Sequence, residues 1–535
     1  MRTKPFGFCL VPFLLGCCLL LSGAPLMAQN ATSGPEVIRA VHQDLSPALR
    51  DIPPAIPSGL LHEHPVKPLH PEKPFSGVPD GAQQTAPIPR QATITSGLNF
   101  DGVGNGFVGP NGAFSVNSAP PDTNAAVGAT QVVQWVNESF AVFDKATGNA
   151  VHGPVTGNTL WSGFGGSCET SNSGDIIAQY DKAAARWFLT QPVFRSPFMI
   201  CIAVSTTSDA TGSFNRYAFP MDNFPDYPKY GVWSDGYYGT FNMFSGNTFV
   251  GSKACSFDRS AILNGAAATM VCFQLSSSFG GLLPSDLDGA SAPPPGSPNF
   301  LLNFGANVLN LWKFHVDFAT PANSTLTGPT NLPVAAFSEA CGGGACVPQT
   351  GTRQLLDSLA DRLMYRLAYR NFTTAPAHES LVVNHSVRVS GGGKHSAEVD
   401  GVRWYEIRSP NSTPVVFQQG TFSPDSNSRW MGSIAMDKVG DIAVGYSVSS
   451  SQINPAIRFA VRVPTDPTGT LEPETNIIVG TGSQLHSLNR WGDYSSMAID
   501  PVDDCTFWYT TEYLKSSGTF NWSTRLASFK ISGCH

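Results

Sequence analysis

The chain has 535 residues, of which 13% are charged and 11% aromatic, with 52 glycines, 42 prolines and a formal net charge of −7. The aromatic content excludes a wholly disordered chain, and the glycine and proline content excludes a helical bundle. The acidic balance gives no basis for general nucleic-acid binding, which needs an excess of lysine and arginine.

In chain order, residues 1–28 read as a secretory signal. Arg2 and Lys4 precede an apolar stretch from Phe6 to Leu21, and Ala24 to Ala28 offer small residues before a cut at Gln29. The rival is Leu14-Leu15-Gly16-Cys17, a box that would make Cys17 the anchor of a lipoprotein, although the apolar run continues past it. The expected location is secreted or periplasmic. No other stretch reaches about 18 uninterrupted apolar residues, so no membrane span is expected. Residues 29–95 read as a proline-rich disordered linker, with eleven prolines between Ser46 and Arg90. His62, His64 and His70 lie in it and are read as solvated side chains, a metal role being the other option. Gly104 to Gly109 matches G-x-G-x-x-G, but no helical pattern follows, so it reads as a loop.

From Asp122 onward a unit recurs: a polar start, an apolar strand-like run, then a turn opened by aspartate. The clearest turns are at Asp144, Asp181, Asp258, Asp437 and Asp500. Aspartate suits the first turn position because its side chain accepts from backbone NH groups further on. Short β-branched and aromatic runs flank these turns, such as Val132 to Val136 and Phe507 to Thr510. Unit starts near Asp122, Asp175, Tyr230, Asp286, Asp357, Arg429 and Arg490 are 53 to 72 residues apart. Short strands at such a long period indicate an all-β propeller over residues 96–535, seven-bladed, with six or eight blades as alternatives. Only Ser358 to Tyr369 offers a helical pattern, and it suits a buried strand equally well. The tryptophans at 135, 187, 233, 312, 404, 430, 491 and 508 are expected to pack between blades.

Removal of the signal leaves eight cysteines, an even number that suits disulfides in an exported chain. Sequence does not fix connectivity, but sequential pairing gives short closures: Cys168 with Cys201, Cys255 with Cys272, Cys341 with Cys346, and Cys505 with Cys534. The mature chain has no Cys-x-x-Cys and no histidine pair near Cys341 and Cys346, so a cysteine zinc site is not expected.

Four stretches carry a resemblance: Pro121 to Gly128, Asp226 to Tyr238, Arg429 to Asp437 and Arg490 to Asp500. They resemble a group of secreted bacterial propeller proteins without an assigned activity and, more distantly, the Asp-box turns of sialidase-type propellers. The Asp-box pattern S-x-D-x-G-x-x-W is not kept: the glycine after Asp437 comes one place late, and Asp181 lies six residues before Trp187.

In a propeller the starts of the innermost strands converge on one end of the axis. Here they carry Asp122, Asp175, Lys229, Arg362, Arg429 and Arg490, followed by Asp493 and Tyr494. Three arginines from separate units suit a fork-like carboxylate receptor. The resemblance to sialidases implies an acid, Asp122 or Asp493, and a nucleophile, Tyr494. The competing reading is that the arginines pair with Asp175, Asp361 and Asp493 to tie blades together, and it is favoured. A glycosidase without arginine recognition would need two carboxylates at about 5–10 Å, for which Asp122, Asp175 and Asp493 are the candidates. Structural calcium is an option at Asp286 to Gly289 and at Asp500 to Asp504. No zincin, G-x-S-x-G or P-loop motif occurs, and His315, His385 and His486 read as scaffold histidines. The expected function is non-catalytic binding of an extracellular ligand, a glycan or surface polymer, by a monomer with no cofactor other than optional structural calcium. The rivals are a hydrolase or lyase acting on an acidic sugar, and a structural component of the cell envelope.

Overall fold

The computed structural model describes residues 1, 34–57, 59–71, 79–374, 376–393 and 396–535. Residues 2–28 of the expected signal, with Cys9, Cys17 and Cys18, lie outside the described residues. The fold is all-β and propeller-like. Among the described residues, six antiparallel runs of four sequential strands are followed by a run of three, Ser496–Ile499, Thr506–Tyr513 and Ser523–Ile531. Their innermost strands are Thr123–Val127, Ala178–Asp181, Phe224–Val232, Leu283–Leu287, Met364–Phe372, Ser428–Met436 and Ser496–Ile499. Each lies beside the next, and the last lies beside the first, so the row closes into a ring. The fourth and fifth units also share a direct parallel pairing, Ser285 opposite Leu367. The stretch from Ser358 to Tyr369, ambiguous in sequence, enters the fifth innermost strand at Met364.

The last unit borrows its outermost strand from the N-terminal part of the chain. Ile94–Asp101 pairs with Ser523–Ile531, so the ring is shut by two segments more than 400 residues apart. Side chains tie neighbouring units near the axis. Asn124 Nδ2 donates to the Ile176 carbonyl at 2.7 Å and Gln179 Nε2 to the Tyr230 carbonyl at 2.8 Å. One sheet cannot bury both of its faces alone; stacking sheets in a ring does so. The expected interblade tryptophans are all buried. Trp430 and Trp491, from adjacent units, lie 5.9 Å apart between ring centroids.

The aspartate turns form by the expected bonds. Asp144 Oδ1 accepts from Thr147 N at 2.9 Å, Asp181 Oδ1 from Ala184 N at 3.0 Å and Asp258 Oδ1 from Ala261 N at 2.9 Å. Asp437 Oδ1 accepts from Val439 N at 3.0 Å and Asp500 Oδ1 from Val502 N at 2.9 Å. The four disulfides are Cys168–Cys201, Cys255–Cys272, Cys341–Cys346 and Cys505–Cys534. Such bonds persist in oxidising compartments. Among the described residues no helix is long and apolar enough to cross a membrane. Gly104 to Phe107 is a loop, Val108–Gly109 pairs with Gly112–Ala113, and no helix follows directly.

The expectation of a coreless linker needs correction over its described residues. Glu36–Arg39 adds a fifth strand to the third unit and His42–Leu45 adds one to the second. His62–Glu63 pairs in parallel with Ser118–Ala119. Further on, Leu69 N donates to Asp361 Oδ2 at 2.9 Å, Thr421 Oγ1 to Asp80 Oδ2 at 2.6 Å, and Gln84 Nε2 to the Leu471 carbonyl at 3.0 Å. The prolines do keep the segment extended. An extended chain still offers free NH and CO groups between its prolines, and these satisfy exposed sheet edges.

Candidate functional site

In or just before each innermost strand lies a residue in the left-handed region: Asp122 (φ 47°), Asp175 (51°), Tyr227 (50°), Gly281 (62°), Leu359 (44°), Met431 (55°) and Asp493 (58°). Glycine adopts this conformation freely and aspartate tolerates it. Tyrosine, leucine and methionine are held in it at a cost on the order of 1–3 kcal/mol each. The six non-glycine residues are buried, so packing at the ring's hub imposes the bend. The repeated bend brings ionisable side chains from distant sequence positions to one end of the axis.

A cavity of about 240 Å³ opens there. Asp175, Asp226, Arg362, Arg490 and Asp493 supply its charge; Phe194, Phe224, Tyr227 and Leu359 supply its apolar wall; His64 to Lys67 of the N-terminal segment cross its rim. Arg490 pairs with Asp357 at 2.8 Å and Asp493 at 2.5 Å, and its Nε donates to the His64 carbonyl at 2.8 Å. Arg362 pairs with Asp361 at 2.7 Å, donates to the Lys67 carbonyl at 3.1 Å and lies 4.5 Å over the Tyr227 ring. Among the described residues Asp493 Oδ1 is buried without a hydrogen-bond partner.

A second layer lies beneath. Lys229 is fully enclosed, its ammonium 3.5 Å from the Tyr227 ring centroid and 4.0 Å from that of Tyr494. Desolvation pulls Lys229 down to about 8, against the opposing pull of Asp175 and Asp122. Burial and the neighbouring Asp493 and Asp175 push Asp122 well above the carboxylate range, with Arg490 opposing. Burial, then Asp175, pushes Asp226 up to about 8, so it holds its proton at neutral pH. Asp357 is raised to about 6 by burial, with Arg490 opposing.

The expected residues therefore divide. Asp175, Arg362, Arg490 and Asp493 meet at the cavity, and Asp122, Lys229 and Tyr494 lie just behind it. Arg429 does not join them. It pairs with Glu474 at 2.9 Å and Asp425 at 2.8 Å on the outer side of its strand, because the chain bulges between Trp430 and Ser433 and turns Met431 toward the hub. The three-arginine receptor is thus corrected to two arginines, both already held by carboxylates of this chain. Tyr494 is fully buried, its hydroxyl 3.3 Å from the Ile176 carbonyl, and burial and Asp122 push its ionisation well up, opposite to what a nucleophile needs.

Asp226, Tyr227 and the His64–Lys67 segment were missed by reading unit starts. Asp226 and Tyr227 were in view as part of the motif ending at Tyr238, but the left-handed Tyr227 shifts the hub three residues upstream of the apparent start at Tyr230. At the far ends of the innermost strands Arg366 pairs with Asp286 at 2.8 Å and Asp288 at 2.6 Å, around a cavity of only about 40 Å³. Asp500 pairs with Lys145 at 2.9 Å and Asp504 with Arg370 at 2.7 Å. The carboxylates considered for calcium thus face side-chain cations. Of the scaffold histidines, His385 is buried against Tyr405, while His315 and His486 are exposed.

No family model matches the chain, and no curated protein matches it by sequence. Among solved structures, the chain is similar to the WD40 domain of SCAP from fission yeast at TM-score 0.31 and 9% identity, covering 74% of this chain and 81% of that one. It is similar to 1,3Gal43A, an exo-β-1,3-galactanase from Clostridium thermocellum, at TM-score 0.31 and 9% identity, covering 78% and 82%. The extracellular domains 1–2 of Drosophila Semaphorin 1b give TM-score 0.27 and 6% identity, covering 84% and 88%. Similarities this low carry no argument about function. The sheet order and the ring closure themselves define the class: a disulfide-bonded β-propeller with a polar cavity at one end of its axis.

Proposed function

We propose that this is an exported β-propeller that binds a polyhydroxylated extracellular ligand, a glycan or surface polymer, at the axis mouth without turning it over. One observation carries the reading: four units and the N-terminal segment deliver carboxylates, guanidinium groups and aromatic rings to a single cavity of about 240 Å³. Ligand pockets begin at roughly 300 Å³, so the cavity suits one terminal sugar-sized group, the remainder of a polymer running over the rim. A sugar hydroxyl both donates and accepts, and so suits a lining that holds carboxylates and guanidinium NH groups side by side. Because Arg362 and Arg490 are engaged by Asp361, Asp357 and Asp493, a neutral group fits better than a carboxylated one. The test is a glycan array and whole-cell binding with residues 29–535. Retention that Asp226→Asn and Phe224→Ala weaken at least about tenfold, a loss of about 1.4 kcal/mol, is the expected result. No retention on either surface would sink the reading.

A second reading is hydrolysis of a glycoside. It is favoured by Asp226, which burial keeps protonated at neutral pH as a general acid must be. It requires turnover of aryl glycosides by the wild type and its loss in Asp226→Asn.

A further inference from the structure

We propose that His62, His64 and Glu138 form a binding site for a divalent transition-metal ion, with zinc as the best fit, which fastens the N-terminal segment to the first unit beside the axis cavity.

The argument begins with spacing. His62-Glu63-His64 is extended and pairs in parallel with Ser118–Ala119, His62 N donating to the Asn117 carbonyl at 2.9 Å and His64 N to the Ala119 carbonyl at 2.8 Å. Side chains two apart on a strand share a face, so both imidazoles point the same way, their centroids 4.9 Å apart. Facing them is Glu138, buried on the two-residue turn between Gln131–Val136 and Ser139–Asp144. Its Oε1 lies 2.7 Å from His62 Nε2 and 3.3 Å from His64 Nε2. One ligand atom from each residue lies within 4.8 Å of the other two.

Two details favour an ion over a simple ion pair. His62 Nδ1 sits 3.1 Å from the Leu60 carbonyl. A proton held there leaves the lone pair on Nε2, aimed at the cluster, which is the usual outer-shell arrangement for a ligating histidine. His64 Nε2 is buried and makes no hydrogen bond, so a proton shared between His62 and Glu138 leaves it unused. An ion at the centre uses all three.

Two imidazole nitrogens and one carboxylate oxygen suit zinc and its first-row neighbours, whereas calcium takes six to eight oxygens. Three protein ligands leave a coordination position open for water or a ligand donor. His64 also lines the axis cavity and holds Arg490 through its carbonyl, so the ion would fix the rim of that cavity. The cluster of Cys341, Cys346, Glu398 and Asp400 is not comparable, because its thiols are joined as a disulfide.

The test uses residues 29–535 with disulfides intact, stripped by chelator and titrated with zinc chloride by calorimetry. Cobalt chloride absorption provides a second readout. The expected result is one equivalent of zinc. Affinity should fall at least about 100-fold in His62→Ala, His64→Ala and Glu138→Gln. His315→Ala, at an exposed histidine on another unit, should bind like the wild type. Each variant is checked by circular dichroism; Glu138→Gln keeps the shape of the site and serves if either alanine variant misfolds. Wild type that takes up no zinc at 100-micromolar levels (on the order of −5.5 kcal/mol) overturns the proposal. So does stoichiometric binding that survives all three substitutions.

Discussion

Lys229 and Asp122 are buried ionisable groups and Asp226 is a half-buried one at the cavity wall, and each has moved its ionisation to suit. The direction sets a pH dependence. Asp226 keeps its proton to about 8 in the folded chain but releases it near the ordinary value when unfolded. The native state therefore binds more protons between about pH 4 and 8, and stability falls as pH rises through that window. Asp226→Asn removes this contribution. The difference between wild-type and variant unfolding midpoints should slope with pH from 4 to 8; parallel curves would refute it. Lys229 acts in the opposite sense: the unfolded chain holds the extra proton between about 8 and 10.5, so its contribution to stability rises with pH there. Arg490 gives a second test. Arg490→Leu strands Asp357 and Asp493 in the interior and should cost about 3–5 kcal/mol in urea unfolding. A cost below about 1 kcal/mol, the range of a surface pair, would show that the pair is not enclosed.

At the scale of elements, the strands and their turns obey local rules. An aspartate before a turn bonds the backbone two or three residues on, wherever the unit lies, which is why the turns at Asp144, Asp181 and Asp437 were readable in sequence. The sequence left the disulfide connectivity open, and the pairing found is the one in which neighbouring cysteines close short loops. The stabilising effect of each bond should scale with the loop closed. Cys168–Cys201 spans 33 residues and Cys341–Cys346 spans 5. Replacing the first pair by serines should cost about 1.5–2 kcal/mol more than replacing the second, by loop entropy. Equal losses would place the effect in native packing instead. The N-terminal segment was not readable. Its prolines announce an extended chain, but nothing local tells an extended chain in water from one seated on the edges of sheets hundreds of residues away.

At the scale of the molecule, closure depends on Ile94–Asp101 completing the last unit. A chain that begins at Gly102 should lose its sharp cooperative unfolding transition in calorimetry. A chain that begins at Pro87 keeps the closing strand and should retain a cooperative transition at a lower midpoint, having lost the outer strands and the segment at the axis mouth. If both behave alike, the closing strand is not what holds the ring. The same closure explains the candidate site. Asp122, Asp175, Arg490 and Asp493 were identifiable because unit starts recur along the chain. Arg429 recurs at an equivalent place and yet faces outward, because a bulge at Met431 turns the strand; a single left-handed residue decides which side chain reaches the hub.

The sequence by itself determined the β class, the aspartate turns, the buried tryptophans and an even cysteine count suited to disulfides, since these follow from short-range periodicity, turn chemistry and composition. Only the tertiary structure decided that Asp226 and Tyr227 belong at the hub, that Arg490 meets Asp357, and that His62 and His64 meet Glu138. Those contacts join segments tens to hundreds of residues apart, and their free energy exists only once the ring has closed and removed the water between them.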